Sequence, residues 1–193
     1  MKPVGVFSVP IWKDTLPDFN NKKSAMLSDV LDFASKNKNE VKSNMYGYQS
    51  PKTLHLQSNL KFFTDFLNQK VVEAAESIGL KSNIEVQECW VNINNSRQCF
   101  NHQHSHGGVF SGVFFLSIPD GSGMLYLKNS CVNPMWDGLK ITKGANPYTS
   151  EASFVPPMEG HLLIWPSYLE HSVGTNNHDE ERISISFNAY VKE

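Results

Sequence analysis

Residues 159–188, EGHLLIWPSYLEHSVGTNNHDEERISISFN, carry the pattern that decides the fold. In the last strand of this stretch Ile183, Ile185 and Phe187 share one face, and polar side chains share the other. The polar side chains are Arg182, Ser184, Ser186 and Asn188. An earlier stretch, CWVNINN (89–95), repeats the pattern. Such strands fit either a surface sheet with a solvated polar face or a barrel whose interior holds a polar ligand, and alternation alone leaves both open.

The same stretch is typical of a β-turn-β unit. His171 ends the first strand, Arg182 opens the second, and the turn falls at 176–177. If a hairpin closes there, the two residues are cross-strand neighbours with Cβ atoms roughly 5 Å apart. A metal-binding imidazole would then lie beside a guanidinium, which is suited to bidentate capture of a carboxylate. The alternative for Arg182 is a surface salt bridge with one of the acidic residues 179–181.

Three of the seven histidines lie at alternate positions in FNHQHSHGG: His102, His104 and His106. Two histidines separated by one residue on a strand project to the same face and can bind one cation. An HxH pair alone is a weak signal, because a chance His-rich turn gives the same letters. With His171 as a third ligand, the pattern predicts a metal site that keeps open coordination positions.

Helical periodicity precedes strand periodicity along the chain. Apolar residues recur at helical spacing in 24–36 and 59–79, where Gly79 is a plausible C-cap. Residues 4–12 are predicted to form a first strand. Later strands are predicted at 84–94, 109–118, 124–128, 153–155, 161–165 and 182–191. This order favours an α+β fold, mainly β, with N-terminal helices packed outside a sandwich or barrel. The long segment 129–152 is typical of a lid or binding loop.

Length and composition narrow the class of protein. With 193 residues the chain suits a single domain, 1–193, with helical support over 20–80 and a β core over 84–193. A net charge of -2 gives no basic field for nucleic acid or an anionic membrane. No run approaches the roughly 20 apolar residues of a membrane span. Three cysteines without a CxxC pair favour a reducing, cytoplasmic setting.

These residues resemble the 2-oxoglutarate/Fe(II) oxygenase superfamily. Within it, the chain is similar to a branch related to prolyl hydroxylases that is found in bacteria and phages. The most specific matching piece is 159–188. The others are VFSVPIW (6–12), YGYQSPKTLH (46–55), CWVNIN (89–94), FNHQHSHGGVFSGVFFLSIP (100–119) and GMLYL (123–127). The resemblance covers most of the chain and implies a double-stranded β-helix, or jelly-roll, core.

The resemblance also implies which histidines bind the iron. The family pattern places an aromatic residue, then three residues, then HxH. Matching Phe100 to that aromatic residue makes His104 and His106 the pair, and His171 matches the distal histidine. Compared with the family pattern, the loop that leads to Ser111 is one residue too short if the pair is His104/His106. It is one residue too long if the pair is His102/His104. Both pairs therefore stay open, and His104 belongs to each.

The remaining site residues concern the co-substrate. Arg182 and Ser184 match the RxS pattern expected to hold the C5 carboxylate of 2-oxoglutarate, and Asn94, with Asn92 as the alternative, is expected to reach this molecule. The superfamily at large has HxD or HxE where this chain has HxH, which leaves the iron more positively charged. The pair Phe114–Phe115 stands where tyrosine is frequent.

The function implied is that of a non-haem Fe(II) dioxygenase. It would couple decarboxylation of 2-oxoglutarate by O₂ to hydroxylation of an unidentified substrate, a peptidyl proline being one candidate. Trp136 and Tyr148 in the long loop are candidates for substrate contact. An exposed N-terminal strand would offer an edge for a homo-oligomer.

Two other functions stay open. One is a three-His, cupin-like metal dioxygenase, which would turn over without 2-oxoglutarate. The other is a non-catalytic jelly-roll binding module, which would hold zinc or no metal and show no affinity for 2-oxoglutarate.

Overall fold

The structure, a computed structural model, describes residues 2–5, 8–81, 83–95, 97–131, 146 and 148–192. Two helices and a run of short strands make up its regular elements. The helices are α1 (Phe19–Lys36) and α2 (Lys61–Ser77), the latter preceded by 3₁₀ turns at Leu54–Leu56 and Ser58–Leu60. The strands are β1 (Trp12–Thr15), β2 (Asn44–Met45), β3 (Tyr48–Gln49), β4 (Ile84–Asn94), β5 (Phe100–His104), β6 (Phe110–Ser117), β7 (Leu125–Lys128), β8 (Ala152–Val155), β9 (His161–Pro166), β10 (His171–Val173) and β11 (Arg182–Val191).

The strands form two facing antiparallel sheets. The larger sheet has the order β1-β9-β6-β11-β4-β3, and the smaller has the order β2-β5-β10-β7-β8. From β4 onward the chain crosses repeatedly between the sheets. After β4, the described strands that are consecutive in sequence and neighbours in one sheet are β7 and β8; before that point β3 and β4 are such a pair. This is a double-stranded β-helix with helices added, which confirms the predicted fold class.

The outer face of the larger sheet carries the helices. Phe63 of α2 meets Phe114 of β6 with ring centroids 5.0 Å apart, and Phe19 of α1 meets the same ring at 5.7 Å. The apolar face of β11 joins this core. Its polar face therefore points into the space between the sheets and is not solvated. Within the described residues, no helix has both the length and the apolar character needed to cross a bilayer.

The first strand and first helix differ from their predicted bounds. Strand β1 begins at Trp12 and pairs with β9 along Trp12–Thr15, whereas the sequence predicted a strand over 4–12. Its position is set by the partner strand, which apolar composition cannot reveal. Helix α1 begins earlier than predicted, directly after Asp18 in the left-handed conformation. Gly79 follows the end of α2 with φ of 78°, as a helix C-terminus requires.

The predicted hairpin between His171 and Arg182 is wrong. Strand β10 pairs with β5 and β7 in the smaller sheet, and β11 pairs with β4 and β6 in the larger one. Residues 174–181 are therefore a crossover between sheets. Asn176, in the expected turn, is buried and donates through Nδ2 to His178 O at 3.1 Å and Asn94 O at 3.3 Å. The two site residues lie in opposite sheets and not side by side.

Candidate functional site

Three histidines converge inside the β-helix. His104 ends β5, His106 lies in the following loop, and His171 opens β10 opposite His104. One ring nitrogen from each lies within 4.8 Å of the others, and the ring centroids are 4.4 to 5.1 Å apart. His102 is exposed and lies outside this group. Of the two HxH pairs left open, the structure brings His104 and His106 to His171.

Backbone carbonyls orient two of the three rings. His171 Nδ1 lies 3.0 Å from Leu169 O, and His104 Nδ1 lies 2.6 Å from His102 O. A carbonyl only accepts, so each Nδ1 carries the proton and donates it. The Nε2 lone pair of each ring then points away from its carbonyl and is available to a metal. His106 is anchored through its backbone N–H, which donates to Ser167 O at 3.0 Å.

Burial keeps the three imidazoles neutral. Desolvation, followed by the proximity of His171 and His104, lowers the pKa of His106 to about 3. Desolvation, and then His104, lowers the pKa of His171 to about 4, and desolvation also lowers the pKa of His104. Metal binding requires the neutral form of histidine. At neutral pH the cluster therefore presents three free lone pairs.

Arg182 is a buried cation. Its side chain is 1 % exposed, and desolvation lowers its pKa to about 10. Nη1 donates to Ser184 Oγ at 3.1 Å, and the guanidinium carbon lies 5.7 Å from the centroid of Phe115. Within the described residues no carboxylate pairs with it, and Nε has no hydrogen-bond partner. The alternative of a surface salt bridge is excluded, because Arg182 is buried; Asp179 pairs with Arg97 instead.

The histidines and Arg182 line one cavity between the sheets. Asn92 and Phe115 also line it, whereas Asn94 does not. Asn94 lies instead next to Asn44, whose Nδ2 approaches its Oδ1 at 3.4 Å. The amide in the wall is thus the alternative residue, Asn92, and not the expected Asn94.

A family model described as "Putative 2OG-Fe(II) oxygenase" matches residues 88–188, more than half of the chain. The chain belongs to the 2OG-Fe(II) oxygenase family. The match includes the three histidines, Arg182 and Ser184. The enzymes of this family use Fe(II) and 2-oxoglutarate. No curated protein matches the sequence.

Solved structures share the fold of this oxygenase. A Pseudomonas putida prolyl-4-hydroxylase superposes with a TM-score of 0.67 at 13% identity, over 96% of this chain and 95% of that one. A Trichoplax adhaerens prolyl hydroxylase, solved with a hypoxia inducible factor peptide fragment, gives 0.65 at 12% identity, over 94% and 83%. Streptomyces hygroscopicus HygX, solved with nickel and 2-oxoglutarate, gives 0.62 at 9% identity, over 95% and 83%. At these identities the likeness shows the fold.

The cavity of the oxygenase fits both groups that its family uses. Three neutral imidazole nitrogens are a donor set that binds Fe(II). The unpaired guanidinium of Arg182 suits a carboxylate, because a buried cation without a partner is unfavourable. Ser184 lies within hydrogen-bond distance of it and adds a hydroxyl on the same face.

Two tryptophans that were not predicted from the sequence as site residues flank the histidines. The Trp90 ring lies 5.6 Å from that of His106, and the Trp165 ring lies 4.9 Å from that of His171. Both tryptophans line the cavity. Trp90 alternates with Asn92 on β4, and this was the available signal. Of the two loop aromatics predicted to touch substrate, Trp136 lies outside the described residues, and Tyr148 is not in the cavity wall.

A second group that sequence reasoning missed is a chain of buried polar side chains. Ser111 Oγ lies 2.8 Å from Asn188 Oδ1 and 2.9 Å from Ser167 Oγ. Asn188 Nδ2 donates to Glu88 Oε2 at 2.6 Å, which Lys52 also contacts at 2.8 Å. Because Ser167 O accepts a hydrogen bond from the N–H of His106, this row of hydrogen-bonded side chains helps to hold His106 in place.

Replacing Ser111 with alanine is expected to destabilise the metal-free protein by about 1–3 kcal/mol, because two buried polar atoms each lose a partner. Urea unfolding followed by circular dichroism measures the loss. Ser153→Ala, on the exposed face of β8, is the matched control and should change stability by less than about 0.5 kcal/mol. Equal effects of the two substitutions would contradict the role of the polar chain.

Proposed function

We propose that this oxygenase binds Fe(II) through His104, His106 and His171, and binds the C5 carboxylate of 2-oxoglutarate through Arg182 and Ser184. It uses O₂ to hydroxylate a C–H bond of its substrate. Arg182 carries this proposal. Its guanidinium is buried, has no carboxylate partner in the described protein, and lies in the same cavity as three neutral imidazoles. This arrangement favours an acidic ligand that also reaches the metal.

When bound, iron and 2-oxoglutarate supply the oxidising chemistry, in which one oxygen atom of O₂ goes to succinate and the other to the substrate, with loss of CO₂. The chain's own residues bind these two groups, orient the metal ligands and shield the cavity from water. Leu169 O and the carbonyl of His102 hold two imidazoles by their Nδ1 protons. Trp90, Trp165 and Phe115 line the cavity with apolar surface, which limits the entry of water.

The first substrate to test is a peptidyl proline. Two of the structurally similar proteins are prolyl hydroxylases, and one of them was solved with a peptide fragment. This likeness shows a shared fold, and fold alone does not determine the substrate, so the prolyl peptide is a hypothesis. Incubation with a library of proline-containing peptides, followed by mass spectrometry, would show a gain of one oxygen atom that depends on 2-oxoglutarate.

The remaining expectations about partners follow from composition. A net charge of -2 supports a small molecule or a peptide over nucleic acid as the binding partner. The cysteine pattern supports a reducing, cytoplasmic compartment.

An anaerobic titration tests the proposed function. The metal-free protein receives Fe(II) and then 2-oxoglutarate, and the visible charge-transfer band of the chelate is recorded. The expected result is a band that requires both additions. Iron binding without a band would favour the three-His dioxygenase that needs no 2-oxoglutarate. Absence of iron binding would favour the non-catalytic binding module.

A further inference from the structure

Trp165 has a polar atom that none of the binding roles above uses. Its side chain is 2 % exposed, and its Nε1–H is buried without an acceptor among the residues that the structure describes. An indole nitrogen only donates a hydrogen bond. Buried donors in native proteins are almost always paired. Because Trp165 lines the cavity, a molecule bound in that cavity can supply the acceptor.

The strand register places Trp165 at the histidine end of the cavity. Trp165 pairs with Ser111, and Ser111 pairs with Asn188. Arg182 lies six residues from Asn188 on β11, which is about 20 Å along an extended strand. The indole ring meets His171 nearly edge-on, with an interplanar angle of 65°. The N–H thus belongs to the part of the cavity where the metal-binding atoms meet, away from the backbone of Arg182.

Apart from Arg182 Nε, which the proposed function assigns to the C5 carboxylate, the other cavity atoms without a partner among the described residues are less informative. Asn92 Oδ1 and Asn101 Oδ1 are also buried without partners. However, Asn92 is bonded to the hydroxyl of Ser186, and Asn101 to that of Ser43. A hydroxyl can donate or accept, so either amide can turn over and present its NH₂ instead. The indole of Trp165 has no such freedom and requires an acceptor.

We propose that Trp165 Nε1–H donates a hydrogen bond to an oxygen of the carboxylate–keto end of 2-oxoglutarate. Trp165 is then a co-substrate-binding residue in addition to Arg182. The inference rests on the proposed function, in which the distal carboxylate lies at Arg182 and the opposite end of the molecule lies at the histidines. That end carries only acceptor oxygens and is negatively charged, so it matches a buried donor.

The direct test is the indole proton of Trp165 in the Zn(II)-loaded protein, in which tryptophan is labelled with ¹⁵N. The chain has four tryptophans, and the spectrum of Trp165→Phe identifies the resonance. On addition of 2-oxoglutarate, with no substrate present, this proton is expected to move downfield. A resonance of Trp165 that does not shift while 2-oxoglutarate binds would overturn the inference and leave the residue a packing role.

A binding measurement supplies the second test. In Trp165→Phe, 2-oxoglutarate should bind roughly ten- to a hundredfold more weakly to the Fe(II)-loaded protein, which is the effect of losing one hydrogen bond to a charged group. The affinity for Fe(II) should change less than about threefold. Trp12→Phe is the matched control, because it removes an indole N–H that donates to Ser77 outside the cavity. It should leave both affinities unchanged.

The possible failures are distinguishable. If the wild-type protein binds no 2-oxoglutarate, the proposed function fails and this inference fails with it. If the wild type and Trp165→Phe bind 2-oxoglutarate equally, the proposed function stands and only the role of Trp165 is wrong. If Trp165→Phe does not fold, the downfield shift in the wild-type protein tests the inference. The Trp165 resonance is then assigned by elimination, from variants of the other three tryptophans.

Discussion

Replacing Arg182 with alanine is expected to weaken 2-oxoglutarate binding by about 30-fold to several thousandfold. Truncating one partner of a buried, hydrogen-bonded charge pair costs about 2–5 kcal/mol, and each 1.4 kcal/mol is about tenfold in affinity. The affinity for Fe(II) should change by less than about threefold, because no metal-binding nitrogen belongs to Arg182. Anaerobic titration with Fe(II), and then with 2-oxoglutarate, measures both values on one sample.

The matched variant Arg182→Lys keeps the positive charge but loses the planar fork, so an intermediate loss of affinity is expected. Unfolding of the metal-free protein supplies an independent check. Removing a buried cation that has no anionic partner among the described residues should cost little stability, because the cost of desolvating it disappears as well. Equal losses of iron and 2-oxoglutarate affinity would argue that Arg182 supports the cavity as a whole and does not hold the carboxylate.

The polar face of β11 shows how far the sequence pattern could lead. Alternation placed Arg182, Ser184 and Asn188 on one face, and the structure confirms that arrangement. The same pattern could not distinguish a solvated face from an interior one. That distinction depends on a second sheet lying over the first, and the residues of that sheet are far away in sequence. The histidines favoured an interior, because an arginine facing a metal site needs an enclosed ligand.

The predicted cross-strand pairing of His171 with Arg182 was wrong for a related reason. A hairpin and a crossover between two sheets can have the same loop length and the same turn residues. Asn176 is favourable for a turn, but here its side chain is buried and donates to the carbonyl of Asn94. The partners of β11 are β4 and β6, and such long-range pairing is absent from the local sequence. His171 and Arg182 line the same cavity from opposite sheets, and they are not cross-strand neighbours.

The sequence pattern could not distinguish Asn92 from Asn94 as the residue that lines the cavity. Both alternate with apolar residues on β4, so periodicity assigns them the same face. The cavity ends before Asn94, where Asn44 fills the space. Trp165 was missed because its apolar neighbours, Leu163 and Ile164, suggest an ordinary buried strand. Its place in the cavity wall, and the lack of an acceptor for its N–H among the described residues, separate it from a core residue, and both require coordinates.

Replacing His171 with alanine is expected to lower the affinity for Fe(II) by at least about a hundredfold. Outer-shell partners of metal ligands already contribute about 10–100-fold, and His171 is proposed to be a ligand itself. Its ring centroid lies 4.4 Å from that of His104 and 5.1 Å from that of His106. Competition against a chromophoric chelator, with Fe(II) under anaerobic conditions, gives the affinity.

His102→Ala is the control for the assignment of the HxH pair. The His102 side chain is exposed, and its backbone carbonyl, which accepts from His104 Nδ1, is retained in the variant. We therefore expect wild-type iron affinity in His102→Ala, and a loss in His106→Ala comparable to that in His171→Ala. If His102→Ala lost iron and His106→Ala kept it, the metal would use the other pair of histidines. The same result would place the iron nearer the surface of β5, away from Trp90 and the cavity in which Arg182 lies.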